Sequence, residues 1–195
     1  MTTSQQLFVA FVGLVALQRL AELKLSRRNE RQLRELGASE HAAGHFIAMQ
    51  LLHTLWLVSV VLEVTLLRPP FLPWVSAPAA LCFAIGQGLR YAAISALGGR
   101  WCVRILTLPG AAPVANGVYR YLRHPNYLGV VLEIAALPLM HSAWRSALVF
   151  SVANAVLLVV RIREEERALT GNGGYDEALG PLPRFWPSFR ARGGT

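Results

Sequence analysis

Three apolar runs separated by polar residues dominate the first half of the chain: Leu7 to Leu25, Phe46 to Leu67 and Val75 to Leu97. Each has about the 20 residues that a helix needs to cross a bilayer. A fourth region, 127–160, is also apolar but broken near Pro138, His141 and Arg145. It is too long for one span and fits two tilted or shortened helices. The pattern predicts an all-α polytopic membrane protein with about five transmembrane helices, the last two a hairpin, forming a single domain over 1–195.

The polar stretches between these runs predict the rest. Residues 26–45 read as a separate polar helix ending near Gly37, with His41 and His45 on the return. Residues 98–126 carry Gly98, Gly99, Pro109, Gly110, Pro113 and Gly117, too many breakers for one regular helix. Within them Arg104 to Leu108 suits an extended segment. Residues 161–170 continue the last apolar helix, which Gly171, Gly173 and Gly174 end. The tail then carries Tyr175 and the cluster Arg184-Phe185-Trp186-Pro187, suited either to an interfacial anchor or to a lid.

Composition supports the membrane reading, with 54% of residues hydrophobic and 15% charged, where a soluble domain carries about a quarter charged. The net charge of +8 reflects topology rather than nucleic-acid binding. Basic residues cluster at 19–34, at 98–126 and in the tail, where Arg190 and Arg192 join Arg161, Arg163, Arg167 and Arg184. The opposite connections hold only Arg68 and Arg145. Short loops rich in arginine stay cytoplasmic, which predicts an outside N-terminus and a cytoplasmic C-terminus. The first run lacks both the preceding positive charge and the small-residue cleavage site of a signal peptide, so a retained anchor is expected. Arginine in place of lysine, with abundant alanine, points to a GC-rich bacterial genome and hence a bacterial plasma membrane.

Cys82 and Cys102 form neither a disulfide framework nor a zinc site. His41 and His45 share a ligand-like spacing but lack a third partner, so no metal is expected.

Two stretches carry candidate chemistry: Arg123-His124-Pro125-Asn126-Tyr127 and Arg161-Ile162-Arg163-Glu164-Glu165-Glu166. If 127–160 folds back on itself, both meet on one side of the bilayer. Pro125 disfavours helix at His124, so the fourth helix starts near Pro125, and its free N–H groups suit a carboxylate. Arg120 and Arg123 add positive potential. Acids at a helix C-terminus oppose its dipole, and three in a row exceed what Arg161, Arg163 and Arg167 neutralise. The plainer alternatives are a basic flank and a solvated charged face. Taken as a pair, the stretches suit a zwitterion, such as an amino acid that bears a sulfonium.

The pattern Val114-x-x-Gly117-x-Tyr119-x-x-x-Arg123-His124-Pro125-x-Tyr127, an apolar hairpin, then Arg161-x-x-x-Glu165-Glu166, resembles the isoprenylcysteine carboxyl methyltransferase family. These are integral membrane enzymes that use S-adenosylmethionine, and phospholipid methyltransferases are related to them. A narrower resemblance runs through Arg19 to Leu23, Ser26 to Asn29, His53, Trp56, Trp101, Arg104 and Thr107 to Gly110. It is to a bacterial branch associated with type III polyketide synthases, whose members O-methylate long-chain alkylpyrones or alkylresorcinols.

The resemblance implies a cytoplasmic cofactor pocket within about 98–190. Arg123, His124, Pro125, Tyr127, Glu165 and Glu166 would bind S-adenosylmethionine, with Val114, Gly117, Val118 and Tyr119 along the adenosine side. Arg161 would meet an anionic acceptor as the catalytic residue, and Glu133 and Asn154 would line an acceptor tunnel. Glu164 receives no role. The expected partners are a lipophilic small molecule and membrane lipids. An ionised carboxylate or enol needs little base help, whereas a phenol needs a base, for which His124 or a glutamate is a candidate; no dedicated base stands out in the sequence, which favours an acidic acceptor. Carboxyl methylation of prenylated cysteine is the second reading, phospholipid N-methylation the third, and a non-enzymatic scaffold or small transporter comes from another class.

Overall fold

The computed structural model describes residues 1–170 and 172–187; Gly171, Arg190 and Arg192 of the sequence analysis lie outside them. Helix α1 (Thr3–Glu35) starts with a capping box in which the Thr2 side chain accepts from Gln5 N and the Gln5 side chain accepts from Thr2 N. It runs unbroken through the stretch expected as a separate polar helix. No glycine or proline interrupts 26–35, and Glu30 pairs with Arg34 one turn on (2.9 Å). Gly37, at φ +89°, then reverses the chain.

Strand β1 (Ser39–His41) follows and pairs antiparallel with β2 (Ile105–Thr107), Glu40 opposite Leu106. The extended segment near 104–108 is therefore present, and its partner strand makes the fold not purely helical. Glu40 also pairs with Arg34 and Arg104. Burial raises its pKa, but the two guanidiniums outweigh burial and hold the carboxyl below the usual range.

Helix α2 (Gly44–Leu62) ends in a π-turn, Glu63–Leu67. The Glu63 carboxylate accepts from Arg145 N (3.1 Å) and Ser146 N (2.7 Å), satisfying free N–H groups in the first turn of α5 (Trp144–Leu169). Helix α3 (Pro73–Leu97) and α4 (Pro125–Leu139) both begin with proline, whose missing N–H is harmless there. A short α6 (Tyr175–Ala178) follows α5.

Among the described residues, four helices are long and apolar enough to cross a membrane: Thr3–Glu35, Gly44–Leu67, Pro73–Arg100 and Trp144–Leu169. Helix α4 is a shorter apolar helix of 15 residues, about 22 Å at the helical rise, against roughly 30 Å of hydrocarbon. It is instead the buried centre of the bundle, with Ile134, Ala136 and Leu137 almost inaccessible. Together with Trp56, Val60 and Val64 of α2 and the π-turn they form the core. Leu7, Leu14, Leu81, Leu148 and Val156 point outward, as lipid-facing side chains do.

Helices α3 and α4 cross at Gly86 and Gly129. A Cβ on Gly129 would meet Arg90 Cγ at 2.6 Å and Gly86 O at 2.7 Å. Such small-residue crossings let helix backbones approach closely. Gly129→Ala is expected to cost about 1–3 kcal/mol by overpacking, read as a lower thermal unfolding midpoint in detergent. An unchanged midpoint would show that the crossing has slack.

Candidate active site

The first turn of α4 is built from Pro125, Asn126 and Tyr127, with His124 at the cap. The sequence assigned this whole turn to an anion. Part of it is already used: Arg123 N donates to Pro183 O (3.0 Å) and His124 N to Arg184 O (3.2 Å), and Arg123 Nε donates to Leu182 O (2.7 Å). The tail is thus fastened across the loop. Among the described residues, the N–H groups of Asn126 and Tyr127 have no backbone acceptor.

The three consecutive glutamates on α5 point in three directions, as the 100° step of a helix requires. Glu164 faces outward and pairs with Arg167 (2.6 Å). Glu166 faces the loop and tail, accepting from His124 Nε2 (3.0 Å) and Arg184 Nε (3.0 Å) and pairing with Arg123 (3.1 Å). Glu165 accepts from the Tyr127 hydroxyl. That hydroxyl in turn accepts from Arg161 Nε (2.8 Å), and Arg161 also donates to Val103 O. The His124 ring stacks on Tyr127, with centroids 5.4 Å apart.

The protruding end of α1 holds the loop that carries Val103. Ser26 Oγ accepts from Val103 N (2.8 Å), and Asn29 Nδ2 donates to Trp101 O (2.7 Å). Both side chains are buried. One helix therefore sets the position of the carbonyl that orients Arg161.

These groups open onto a cavity of about 560 Å³. Val114, Tyr119, Arg123, His124, Tyr127, Arg161 and Glu165 line it. Gly117, Val118, Pro125 and Glu166 are off its wall. Gly117 (φ +54°) starts the turn that delivers Tyr119. Burial, then the Glu165 charge, pushes the Tyr119 hydroxyl up and Tyr175 up to about 12, so both stay protonated. Burial, followed by the charges of Glu165 and Glu30, pushes the Cys102 thiol up to about 12, which leaves it a poor nucleophile at neutral pH.

The cavity continues between α1 and α2 past Ala16, Leu20, Leu57 and Val58. Leu20 and Val58 are also exposed on the lipid-facing surface, so the cavity has a lateral mouth there. Between this mouth and the polar end stand Arg19, Glu22, His53 and Arg90. Arg19 pairs with Glu22 (2.7 Å) and Glu133, and Arg90 pairs with Glu22 and Glu133. Glu133 thus lies behind the wall, engaged with both arginines, and Asn154 is buried away from the cavity.

Of this ionic network the sequence singled out only Glu133 as a site residue, and His53 entered only through the narrower resemblance. The available signal was four ionisable residues, two of each sign, inside apolar runs. His41 and His45 share no helix face: His41 is in β1, hydrogen-bonded to Thr107 Oγ1 (2.8 Å), while His45 opens α2.

Residues 79–171, from α3 through the glutamates of α5, match the isoprenylcysteine carboxyl methyltransferase family. The chain is similar to the uncharacterized protein YpbQ of Bacillus subtilis (strain 168), 37% identical over 163 residues that cover 84% of this chain and 96% of YpbQ. It is also similar to an uncharacterized protein of Haemophilus influenzae (strain ATCC 51907 / DSM 11121 / KW20 / Rd), 28% identical over 164 residues, covering 83% and 94% respectively. With its apolar helices and the matched segment that carries Tyr127, Arg161 and Glu165, the chain belongs to the isoprenylcysteine carboxyl methyltransferase family of membrane methyltransferases.

Proposed function

We propose that the protein is an S-adenosylmethionine-dependent O-methyltransferase of a lipophilic acceptor, a long-chain alkylpyrone or alkylresorcinol. The observation that carries this reading is the continuity of the cavity. One end is walled by Glu165, Tyr127 and the unused first-turn N–H groups of α4, the other opens between Leu20 and Val58.

The donor set suits S-adenosylmethionine. The N–H groups of Asn126 and Tyr127 suit its carboxylate, Glu165 its ammonium group, and Val114 and Tyr119 the adenosine side. Bound there, it supplies an electrophilic methyl group with a good leaving group. The protein's task is then alignment, and orientation alone supplies roughly 7–11 kcal/mol in well-positioned reactions. Arg161 is fixed by Tyr127 and Val103, and its Nη1 has no partner among the described residues. It is suited to hold the acceptor oxygen. The acceptor's tail would extend through the lateral mouth into lipid, and Leu182 to Arg184 would close the cytoplasmic end.

Transfer of labelled methyl by detergent-purified protein tests this reading, with a long-chain alkylpyrone, an alkylresorcinol and a farnesylcysteine analogue run side by side. Label on the pyrone or resorcinol is expected. Label on the prenylcysteine alone would move the protein to carboxyl methylation, the second reading, which the matched family's own description favours. Absence of S-adenosylmethionine binding would leave the scaffold reading.

A further inference from the structure

We propose that His53 is the proton acceptor for a weakly acidic hydroxyl on the substrate, which makes the preferred acceptor a phenol or enol still protonated in solution. This rests on the methyl-transfer reading above and specifies its acceptor.

The tautomer of His53 follows from its partner. Its Nδ1 lies 2.8 Å from Met49 O. A carbonyl can only accept, so in the neutral ring Nδ1 carries the proton and Nε2 holds a free lone pair. Nε2 has no hydrogen-bond partner among the described residues, yet it is not a sealed, unsatisfied atom. It keeps some accessible surface, and His53 is one of the residues that line the cavity. Trp56 meets the ring edge-on, 6.2 Å between centroids and 86° between planes, which limits how the ring can turn.

His53 also has the right position. Met49, one helical turn before it on α2, packs in one buried cluster with Tyr127, whose hydroxyl receives Arg161. Beyond His53 lie Arg19 and Glu22 of α1 and Arg90 of α3, the charged groups that act on the ring. An acceptor lying along the cavity from the lateral mouth to Tyr127 passes Nε2.

Other bases on the wall have partners of their own. His124 Nε2 donates to Glu166, which leaves the Nδ1 lone pair of the neutral ring as a competing acceptor, Glu165 accepts from Tyr127, and Glu22 is held by Arg19 and Arg90. Cys102 and Tyr119 keep their protons.

In the step, the acceptor O–H bond breaks, its electron pair stays on oxygen, and the proton bonds to Nε2. An oxygen pair forms the new O–CH₃ bond while the methyl–sulfur bond breaks and its pair returns to sulfur, leaving a neutral thioether. The imidazolium forms with Arg19 and Arg90 as well as Glu22 nearby, and it returns the proton to water before the next turnover.

The test compares full-length wild type with His53→Asn and His53→Gln, using acceptors that share one alkyl tail but range in acidity from a resorcinol to nitrophenols. General-base assistance is typically worth roughly 100-fold or more. A loss of that size is expected on the resorcinol, shrinking to a few-fold on acceptors already ionised, with S-adenosylmethionine affinity kept within about twofold. A second readout needs no turnover. A tailed nitrophenol, held about one pH unit below its solution midpoint and bound without S-adenosylmethionine, is expected to show phenolate absorbance in wild type and to lose it in both variants.

The same loss across the whole acceptor series, or none, would overturn the assignment, as would phenolate absorbance that survives both substitutions. If wild type binds S-adenosylmethionine but methylates none of these acceptors, the O-methylation reading fails on its own. The absorbance then still decides whether His53 takes a proton in this cavity.

Discussion

Glu133→Gln is expected to cost about 3–5 kcal/mol of stability, the usual penalty for removing one partner of a buried ion pair. Glu133 is 2% exposed in the middle of α4 and is engaged by both Arg19 and Arg90. Glu22 supplies the second carboxylate to the same two arginines. Two positive and two negative groups cancel, which is how an apolar bundle tolerates any of them. Removing one carboxylate leaves a guanidinium uncompensated on the cavity wall inside an apolar bundle. The double variant Glu133→Gln/Arg90→Gln restores neutrality and leaves Arg19 with Glu22, so it is expected to recover part of the loss. Thermal or chemical unfolding in detergent, arranged as a double-mutant cycle, measures that coupling. If the two single losses simply add, the four charges do not act as one network.

The spans were legible because a run of about 20 apolar residues has few fates. The hairpin turn between Pro138 and Arg145 was legible because its polar residues interrupt such a run. The start of α4 followed from the backbone restriction that Pro125 imposes on His124. Pairings distant in sequence were not legible. Strand β1 is three residues of polar character, Ser39, Glu40 and His41, and only Ile105 to Thr107, more than 60 residues away, makes it a strand. The loop N–H groups of Arg123 and His124 looked free for an anion until the carbonyls of Pro183 and Arg184 were found on them.

The same limit applied to the site. Local spacing showed that Arg161 and Glu165 lie one turn apart on a helix, but nothing local said that Tyr127 would bridge them. His53 read only as one position of the narrower resemblance. Its role depends on a carbonyl fixing its tautomer and on a cavity passing its free nitrogen, and both are tertiary facts.

Arg161→Ala is expected to slow methyl transfer by roughly 100-fold or more, the usual cost of losing one preorganised donor at a reacting oxygen, while weakening S-adenosylmethionine binding only a few-fold. The asymmetry follows from the chain of hydrogen bonds. Tyr127 donates a hydrogen bond to Glu165 and accepts one from Arg161. Removing the guanidinium therefore deprives the hydroxyl of a donor but leaves Glu165 its partner. The groups suited to the cofactor stay in place, and the group aimed at the acceptor is lost. Arg161→Lys keeps the charge but not the planar fork that reaches Tyr127 and Val103 together, so it is expected to recover only part of the rate. Single-turnover methyl transfer beside calorimetric S-adenosylmethionine binding separates the two effects. Matching losses in rate and affinity would instead place Arg161 with the cofactor, and the acceptor oxygen would then need its donor from Arg19 or Arg90 deeper in the same cavity.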